Sequence, residues 1–185
     1  EIARVLPVLE AVKAAFDVPV SLDTCKSRVA SAGIEAGADL INDIWGLKYD
    51  AEMAGVIAAG GVPCCLMHNR KKTEYRSLVP DMAADLRESL DLARKAGIRQ
   101  DSIILDPGIG FGKMYEHNLE ALNHLEELES LGYPLLLGCS RKSVRLEGTL
   151  VTTVFGVMKG CMFVRVHDVK ANVRAVKMTE AILRA

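Results

Sequence analysis

Residues 106–113, Asp-Pro-Gly-Ile-Gly-Phe-Gly-Lys, combine a carboxylate with three glycines and follow the apolar run 103–105. A carboxylate at the end of a strand can hold a polar ligand, and the glycines let the backbone approach a flat ligand without Cβ clashes. The stretch is not a Walker A loop, because Met114 stands where Ser or Thr would bind a metal, and Lys113 replaces the third glycine of a dinucleotide fingerprint. Taken alone, it fits a plain strand–turn–helix connection as well as a binding site.

Polar side chains also end two earlier apolar runs. Asp23 follows residues 18–22, and Asn42 follows residues 39–41. With Asp106 they would place two carboxylates and a carboxamide at one end of a sheet, where they can hydrogen-bond the edge of a nitrogen heterocycle. Each could instead be a helix N-cap, a position that Asp and Asn favour. This alternative is weakest for Asp106, because a proline and three glycines intervene before any helix.

Basic and hydroxyl groups end the last two apolar runs. Ser-Arg-Lys-Ser at 140–143 follows residues 135–139, and Arg-Val-His-Asp at 165–168 closes residues 162–166. Such groups suit an anionic or carbonyl-bearing ligand, although 140–143 alone would also fit a solvated turn. Arg165 and His167 point to one side of a strand and could share a phosphate. Because an unpaired charge in a buried strand is costly, Arg165 predicts a ligand or partner.

A repeated order of strand, polar residue and helix positions these groups. Amphipathic helical spacing runs over residues 79–93 and 119–128, and Gly97 and Gly132 stand where these helices should end. The pattern predicts parallel strands joined by crossover helices, as an open doubly wound sheet or a closed (β/α)8 barrel. Polar residues at six strand ends favour the barrel, although a complete one needs about 250 residues. The predicted strands are 18–22, 39–41, 62–67, 103–105, 135–139 and 162–166.

Composition and charge exclude several classes of protein. With 185 residues, 50% of them hydrophobic, and a net charge of −1, the chain suits one globular domain over residues 1–185 without a nucleic-acid partner. The apolar runs are too short for a transmembrane helix, so we expect no membrane partner. We expect a cytoplasmic protein with reduced cysteines. The alternative of a metal site is disfavoured, because Cys64 and Cys65 are adjacent rather than spaced as C-x-x-C and no His lies at ligand spacing.

Six motifs, taken in order, resemble dihydropteroate synthase over essentially the whole chain. They lie at residues 21–24, 41–43, 67–68, 106–113, 138–143 and 165–169. The resemblance implies a (β/α)8 TIM barrel that joins 6-hydroxymethyl-7,8-dihydropterin pyrophosphate to p-aminobenzoate in folate biosynthesis, forming 7,8-dihydropteroate and pyrophosphate. It also implies a cytoplasmic homodimer, Mg2+ as cofactor and a target of sulfonamides.

The resemblance implies which residues bind the pterin. Asp23, Asn42 and Asp106 would hydrogen-bond it. Lys142 would also contact it, and Arg165 would cover one of its faces. The remaining pocket residues would be Ile44, Met67 and Gly138.

The resemblance also implies how p-aminobenzoate and the leaving group are held. Phe111, Lys142 and Ser143 would hold p-aminobenzoate, and Arg165 with His167 would bind the pyrophosphate. The pterin methylene would lose pyrophosphate to give a cation-like centre, which the aromatic amine attacks. Basic groups and Mg2+ would stabilise the departing charge. On this basis the predicted catalytic residues are Asp106, Lys142, Arg165 and His167.

The chain departs from the family's pattern in two places. It begins in what resembles the family's second helix, so the first two strands are missing. Their loops carry the family's Asn that helps hold Mg2+ and a Thr-Arg pair that closes over the substrate. A shortened segment at Val144-Arg145 is the second departure. We expect ordered residues joined end to end, because six strands would leave barrel edges unpaired.

Two alternative functions stay open. A pterin-dependent methyltransferase of the same fold would need a corrinoid partner, and the motifs at 140–143 and 165–168 argue against it. A non-catalytic pterin-binding fragment is the other alternative, suggested by the missing loops.

Overall fold

The computed structural model describes residues 1–141 and 146–185. These residues form two compact units, one of Glu1–His68 with Asp85–Ile104 and one of Asn69–Ala84 with Leu105–Ala185. That residues 1–185 make a single domain stays a prediction. The helices and strands alternate in the order α1 (Ile2–Ala15), β1 (Ser21–Asp23), α2 (Ser27–Glu35), β2 (Leu40–Asp43), α3 (Met53–Gly60), β3 (Cys64–Met67), α4 (Leu78–Ala96), β4 (Ile103–Asp106), α5 (Tyr115–Asn123), β5 (Leu136–Leu137), α6 (Leu146–Met158), β6 (Phe163–Val164) and α7 (Val169–Leu183).

The strands are parallel, as the alternating pattern predicts. The order in one sheet is β1, β2, β3 and β4, and β5 pairs with β6 in a second sheet. β1 and β2 pair in a register that sets Asp23 beside Asn42. In parallel strands, residues at the carboxyl ends gather at one edge of the sheet, which is where open and closed α/β folds bind ligands.

Burial follows the prediction for the middle strands and departs from it for the last one. Every residue of β3 is buried, as expected for a parallel strand covered on both faces. The prediction of a buried last strand is wrong, since β6 spans only Phe163–Val164 and Phe163 is 42% exposed. Within the described part of the chain, β6 belongs to a two-stranded sheet with β5, which leaves it little cover.

The two predicted amphipathic helices have different outcomes. The spacing over 79–93 lies within α4, whose Met82 and Leu86 are fully buried, and Gly97 follows the helix at φ +85°. The spacing over 119–128 is not one helix, because α5 ends and His124 takes non-helical angles before a 3-10 helix at Leu125–Leu131. A 3-10 helix turns every three residues, so Leu125 and Leu128 share one buried face.

Cysteines and hydropathy give two further observations. The five cysteines are free, and Cys64, Cys65 and Cys139 are buried. Burial raises the pKa of Cys64 to about 12, which keeps that thiol protonated at neutral pH. In residues 1–141 and 146–185, no helix has the length and apolar character needed to cross a bilayer.

Candidate active site

Asp23 and Asn42 lie in contact at the carboxyl end of β1 and β2. The Asn42 side-chain Nδ2 donates a hydrogen bond to Asp23 Oδ1 at 3.0 Å. Asn42 is only 4% exposed, whereas Asp23 is exposed. Among the described residues, nothing donates to the buried Oδ1 of Asn42. A buried amide oxygen without a donor destabilises the fold by about 1–3 kcal/mol, so this atom is a candidate acceptor for a ligand N–H group.

None of the three strand-end candidates is a helix N-cap. The residue that caps α2 is Lys26, the one that caps α3 is Glu52, and the one that caps α5 is Met114. The capping alternative for Asp23, Asn42 and Asp106 is therefore wrong. Their roles in binding a ligand stay predictions.

Asp43, next to Asn42, has a structural task. Its buried carboxylate accepts hydrogen bonds from the backbone N–H of Trp45 at 2.9 Å and of Leu47 at 2.7 Å. Burial nevertheless raises the pKa of Asp43 above its usual range. These bonds fix the loop after β2 and with it Ile44, which is half-buried.

Met67 and His68 follow one another at the end of β3. Met67, which is predicted to line the pocket, is buried. His68 is also buried, and its Nε2 lies 2.9 Å from Asp85 Oδ2. This pair anchors the end of β3 to α4.

The glycine-rich loop after β4 is held by its own polar groups. The buried Asp106 accepts a hydrogen bond from the Gly108 backbone N–H at 2.7 Å. Lys113 is only 9% exposed, and its Nζ donates to the carbonyl oxygens of Gly108 and Phe111, at 3.1 Å each. The ring of Phe111 stays 36% exposed. Sequence reasoning treated Lys113 only as a mismatch to a nucleotide motif and missed this bracing role.

A second contact holds the same loop from outside. The hydroxyl of Tyr75 donates to the Gly112 carbonyl at 2.7 Å, and the Arg70 guanidinium stacks 4.6 Å from the Tyr75 ring centroid. A Cβ at Gly112 would lie 2.6 Å from the Arg70 carbonyl oxygen, so only glycine permits this approach. Tyr75 was also missed, because no motif in the sequence marks it.

Gly138 and Asp106 are close neighbours in the second unit. Leu105 N–H donates to the Pro134 carbonyl at 2.9 Å, which brings the ends of β4 and β5 together. A Cβ built on Gly138 would lie 3.6 Å from Asp106 Oδ2. The predicted substrate residues Asp106 and Gly138 therefore share one local environment.

Arg165 and His167 follow β6, and both are exposed. The prediction that Arg165 lies in a buried strand is wrong, because Arg165 follows the two-residue strand β6 and is exposed. His167 contacts Ser140: its backbone N–H donates to Ser140 Oγ at 3.0 Å, and its Nδ1 lies 2.8 Å from the same oxygen. Lys142, predicted to contact both substrates, and Ser143, predicted to hold p-aminobenzoate, fall outside the described residues.

A bidentate ion pair lies beside His167. The Arg141 Nε and Nη2 donate to the Asp168 carboxylate at 3.0 and 2.8 Å. These bonds hold the pKa of Asp168 below its usual range and raise the pKa of Arg141. The turn after β5 is therefore tied to the residues that follow β6 by two side-chain contacts.

Comparisons with known proteins show which family the chain belongs to. The family described as "Pterin binding enzyme" matches residues 1–167. A dihydropteroate synthase of Clostridium beijerinckii is 57% identical over 196 residues, covering 100% of this chain and 73% of that protein.

Two solved structures are similar over the whole chain. The dihydropteroate synthase of Clostridium difficile, in the presence of pteroic acid, has a TM-score of 0.97 at 43% identity and covers 100% of this chain and 75% of its own. The Yersinia pestis enzyme with a pterine-sulfa conjugate has a TM-score of 0.95 at 38% identity and covers 100% and 76%. The predicted α/β barrel fold class and the predicted family are thereby confirmed, and the chain belongs to the dihydropteroate synthase family of pterin-binding enzymes.

Proposed function

We propose that this chain is a transferase that condenses 6-hydroxymethyl-7,8-dihydropterin pyrophosphate with p-aminobenzoate, forming 7,8-dihydropteroate and pyrophosphate for folate biosynthesis. The observation that carries the proposal is the buried Asn42 Oδ1, which receives no donor from the described residues and lies beside a carboxylate. A family whose members bind pterins supplies the matching ligand, because a pterin edge carries N–H donors and nitrogen acceptors.

We propose that Asp23 and Asn42 hold the pterin edge in the first unit. Asp23 accepts from ring or amino N–H groups, and Asn42 Oδ1 accepts another. Ile44 follows β2 and Met67 ends β3, and both are proposed as apolar walls of the pocket. Met67 is buried and apolar, and its flexible thioether can adapt its shape to a flat ring, which supports this role.

We propose a second group of pterin contacts at Asp106 and Gly138. A buried carboxylate makes strong, charge-assisted hydrogen bonds with ring N–H groups. Gly138 has no Cβ, which leaves room for a ring against the backbone. A Cβ built there would lie 3.6 Å from Asp106 Oδ2. Lys142 is proposed as a further pterin contact on the strength of its motif alone.

We propose that p-aminobenzoate is held by Phe111, Lys142 and Ser143. Phe111 offers a half-exposed aromatic face on a loop that Lys113 braces. An aromatic ring favours stacking or edge contact with the benzoate ring. A dihydropteroate synthase of Yersinia pestis has been solved with a sulfonamide drug, and we propose that sulfonamides compete with p-aminobenzoate in this chain.

We propose that Arg165 and His167 bind the pyrophosphate and assist its departure. The bond between the pterin methylene and a pyrophosphate oxygen breaks, and its electron pair leaves with the pyrophosphate. The amine lone pair then forms the new carbon–nitrogen bond, and the ammonium proton is lost to solvent or to pyrophosphate. Exposed cationic and N–H donor groups at Arg165 and His167 stabilise the charge that develops on the leaving group.

Magnesium is the cofactor that the family resemblance implies. Within residues 1–141 and 146–185, no group of three or more His, Cys, Asp or Glu side chains could hold a metal ion. The described residues therefore form no cage of three or more such ligands, whereas Mg2+ is usually held by one or two carboxylates together with substrate phosphates. We assign no step to the metal and propose it only as a companion of the pyrophosphate.

We also propose a cytoplasmic homodimer. Met178 and Ile182, four residues apart on α7, are exposed apolar side chains on one face of that helix. Such a face on a surface helix suits a partner subunit. Light scattering of the wild type and of Met178→Glu tests this, because the charge should shift a dimer to monomer, and a monomeric wild type would contradict the proposal.

Incorporation of radiolabelled p-aminobenzoate tests the function. The protein that carries this chain, supplied with the pterin pyrophosphate and Mg2+, should form labelled dihydropteroate, and omission of either substrate is the control. Pterin binding by calorimetry without product formation would favour the non-catalytic alternative. Methyl transfer in the presence of a corrinoid protein would favour the methyltransferase.

A further inference from the structure

The chain segments after β5 and β6 stay aligned beyond the two short strands. In the sheet, Leu136 pairs with Phe163 and Leu137 with Val164. The Ser140–His167 contact and the Arg141–Asp168 ion pair both keep the sequence separation of 27 residues. Side chains therefore continue the strand register into the loops, and Ser140 is the partner that this register presents to His167.

The Ser140 hydroxyl makes two contacts with one residue. Its oxygen accepts the His167 backbone N–H at 3.0 Å and lies 2.8 Å from the ring Nδ1. The backbone bond fixes the oxygen, so its proton is free to turn toward a neutral ring. A hydroxyl that donates to Nδ1 requires the ring proton to sit on Nε2. If the ring is protonated, Nδ1–H donates to the second lone pair, and Nε2–H is again present.

We propose that Ser140 is a positioning residue that holds the rotamer and the Nε2–H tautomer of His167. The ring then offers an N–H donor to the pyrophosphate oxygens, whether it is neutral or protonated. The inference rests on the proposed role of His167 in binding pyrophosphate. It follows the same logic as the outer partners of metal-binding histidines, whose second ring nitrogen is fixed by a neighbour.

The neighbouring groups do not take this task from Ser140. The Asp168 carboxylate is occupied by two N–H groups of Arg141, and the Arg141 backbone N–H donates to Thr149 Oγ1 at 3.0 Å. The turn after β5 is therefore anchored independently of the serine hydroxyl. Removing that hydroxyl should free the His167 ring while the turn keeps its place.

Kinetics of four proteins test the proposal: wild type, Ser140→Ala, His167→Ala and the double variant. We expect Ser140→Ala to lower kcat/KM for the pterin pyrophosphate by about three- to tenfold, the worth of one hydrogen bond, with KM for p-aminobenzoate unchanged. Because Ser140 acts through His167, the double variant should be no worse than His167→Ala. Ser140→Thr should retain activity, and Ser31→Ala, which removes another hydrogen-bonded hydroxyl, is the matched control.

A spectroscopic measurement addresses the ring itself. Nitrogen-15 spectra of the free protein with labelled histidine should show His167 with Nε2 protonated and Nδ1 bare when neutral, and Ser140→Ala should add an Nδ1–H form. Additive losses in the double variant, or an Nδ1–H ring in the wild type, would overturn the proposal. If His167→Ala lowers kcat/KM for the pterin pyrophosphate and Ser140→Ala leaves it at the wild-type value, this inference is contradicted and the proposed role of His167 is not. Wild-type kinetics in His167→Ala would overturn both the inference and the proposed role of His167.

Discussion

The Asn42 side-chain Nδ2 donates a hydrogen bond to Asp23 Oδ1 at 3.0 Å, and the buried Oδ1 of Asn42 receives no donor from the described residues. A fold under selection for stability alone would not keep such an atom, because desolvating it destabilises the protein. The arrangement is instead what a binding site needs, since the acceptor is already oriented before the ligand arrives.

We therefore expect Asn42→Ala to weaken pterin binding far more than it weakens the fold. Loss of a buried hydrogen bond should lower pterin affinity by about 1–3 kcal/mol, measured by calorimetry. Asn172→Ala is the matched control, because Asn172 is also buried but hydrogen-bonds Thr153 and the Asp168 carbonyl. That control should lose more thermal stability and retain more pterin affinity. Equal thermal losses in the two variants would contradict a binding role for Asn42.

Gly138→Ala should fold normally and bind pterin poorly. The added Cβ would sit 3.6 Å from Asp106 Oδ2, an ordinary contact, so the melting temperature should hardly change. The same methyl would occupy the space proposed for the ring, and we expect at least about a tenfold loss of affinity, or about 1.4 kcal/mol. Gly55→Ala, where nothing lies within 4 Å of the new Cβ, is the control. Unchanged pterin affinity in Gly138→Ala would place the ring elsewhere.

Lys113→Met should loosen the loop that carries Phe111. The change removes buried donors to the Gly108 and Phe111 carbonyls, which should lower the free energy of unfolding by about 1.5–3 kcal/mol. KM for p-aminobenzoate should rise more than KM for the pterin pyrophosphate, because Phe111 is proposed to contact only the former. The control is Lys159→Met, which removes an exposed donor to the Asn123 carbonyl. Equal changes in both KM values would argue against the assignment of Phe111.

The Arg141–Asp168 pair should stabilise the protein in a pH-dependent way. Hydrogen bonds from Arg141 lower the pKa of the folded Asp168, so the stabilisation is present above the unfolded value near about 3.9. It is lost as the pH falls through the lower folded pKa. Urea unfolding of wild type and Asp168→Asn should therefore differ at neutral pH and converge in acid. Both groups are exposed, so the difference should be small and should shrink with salt. A difference that persists at low pH would refute the electrostatic origin.

The sequence alone located most of the chain's architecture. Continuous apolar runs such as the one that becomes β3 identify buried parallel strands, since both faces of such a strand are covered. It also placed Asp23, Asn42 and Asp106 at strand ends. The periodicity over 119–128 misled, because leucines three apart fit a 3-10 turn and an α-helix equally well.

Only the tertiary structure decided which strand-end polar residues cap helices and which hydrogen-bond their own loops. Asp and Asn are favoured at helix N-caps in general. The N-caps of α2, α3 and α5 are instead Lys26, Glu52 and Met114. Asn42 and Asp43 are adjacent in sequence, yet the first keeps an open acceptor and the second binds its own loop.

The order of strands along the chain, the polar residues at strand ends and the family can therefore be read from the sequence, because periodicity and motif spacing are local properties. The Asn42 oxygen that receives no donor from the described residues and the contact of Ser140 with His167 depend on groups that meet only after the strands pair. Burial and hydrogen-bond geometry are properties of that packing, and no local pattern encodes them.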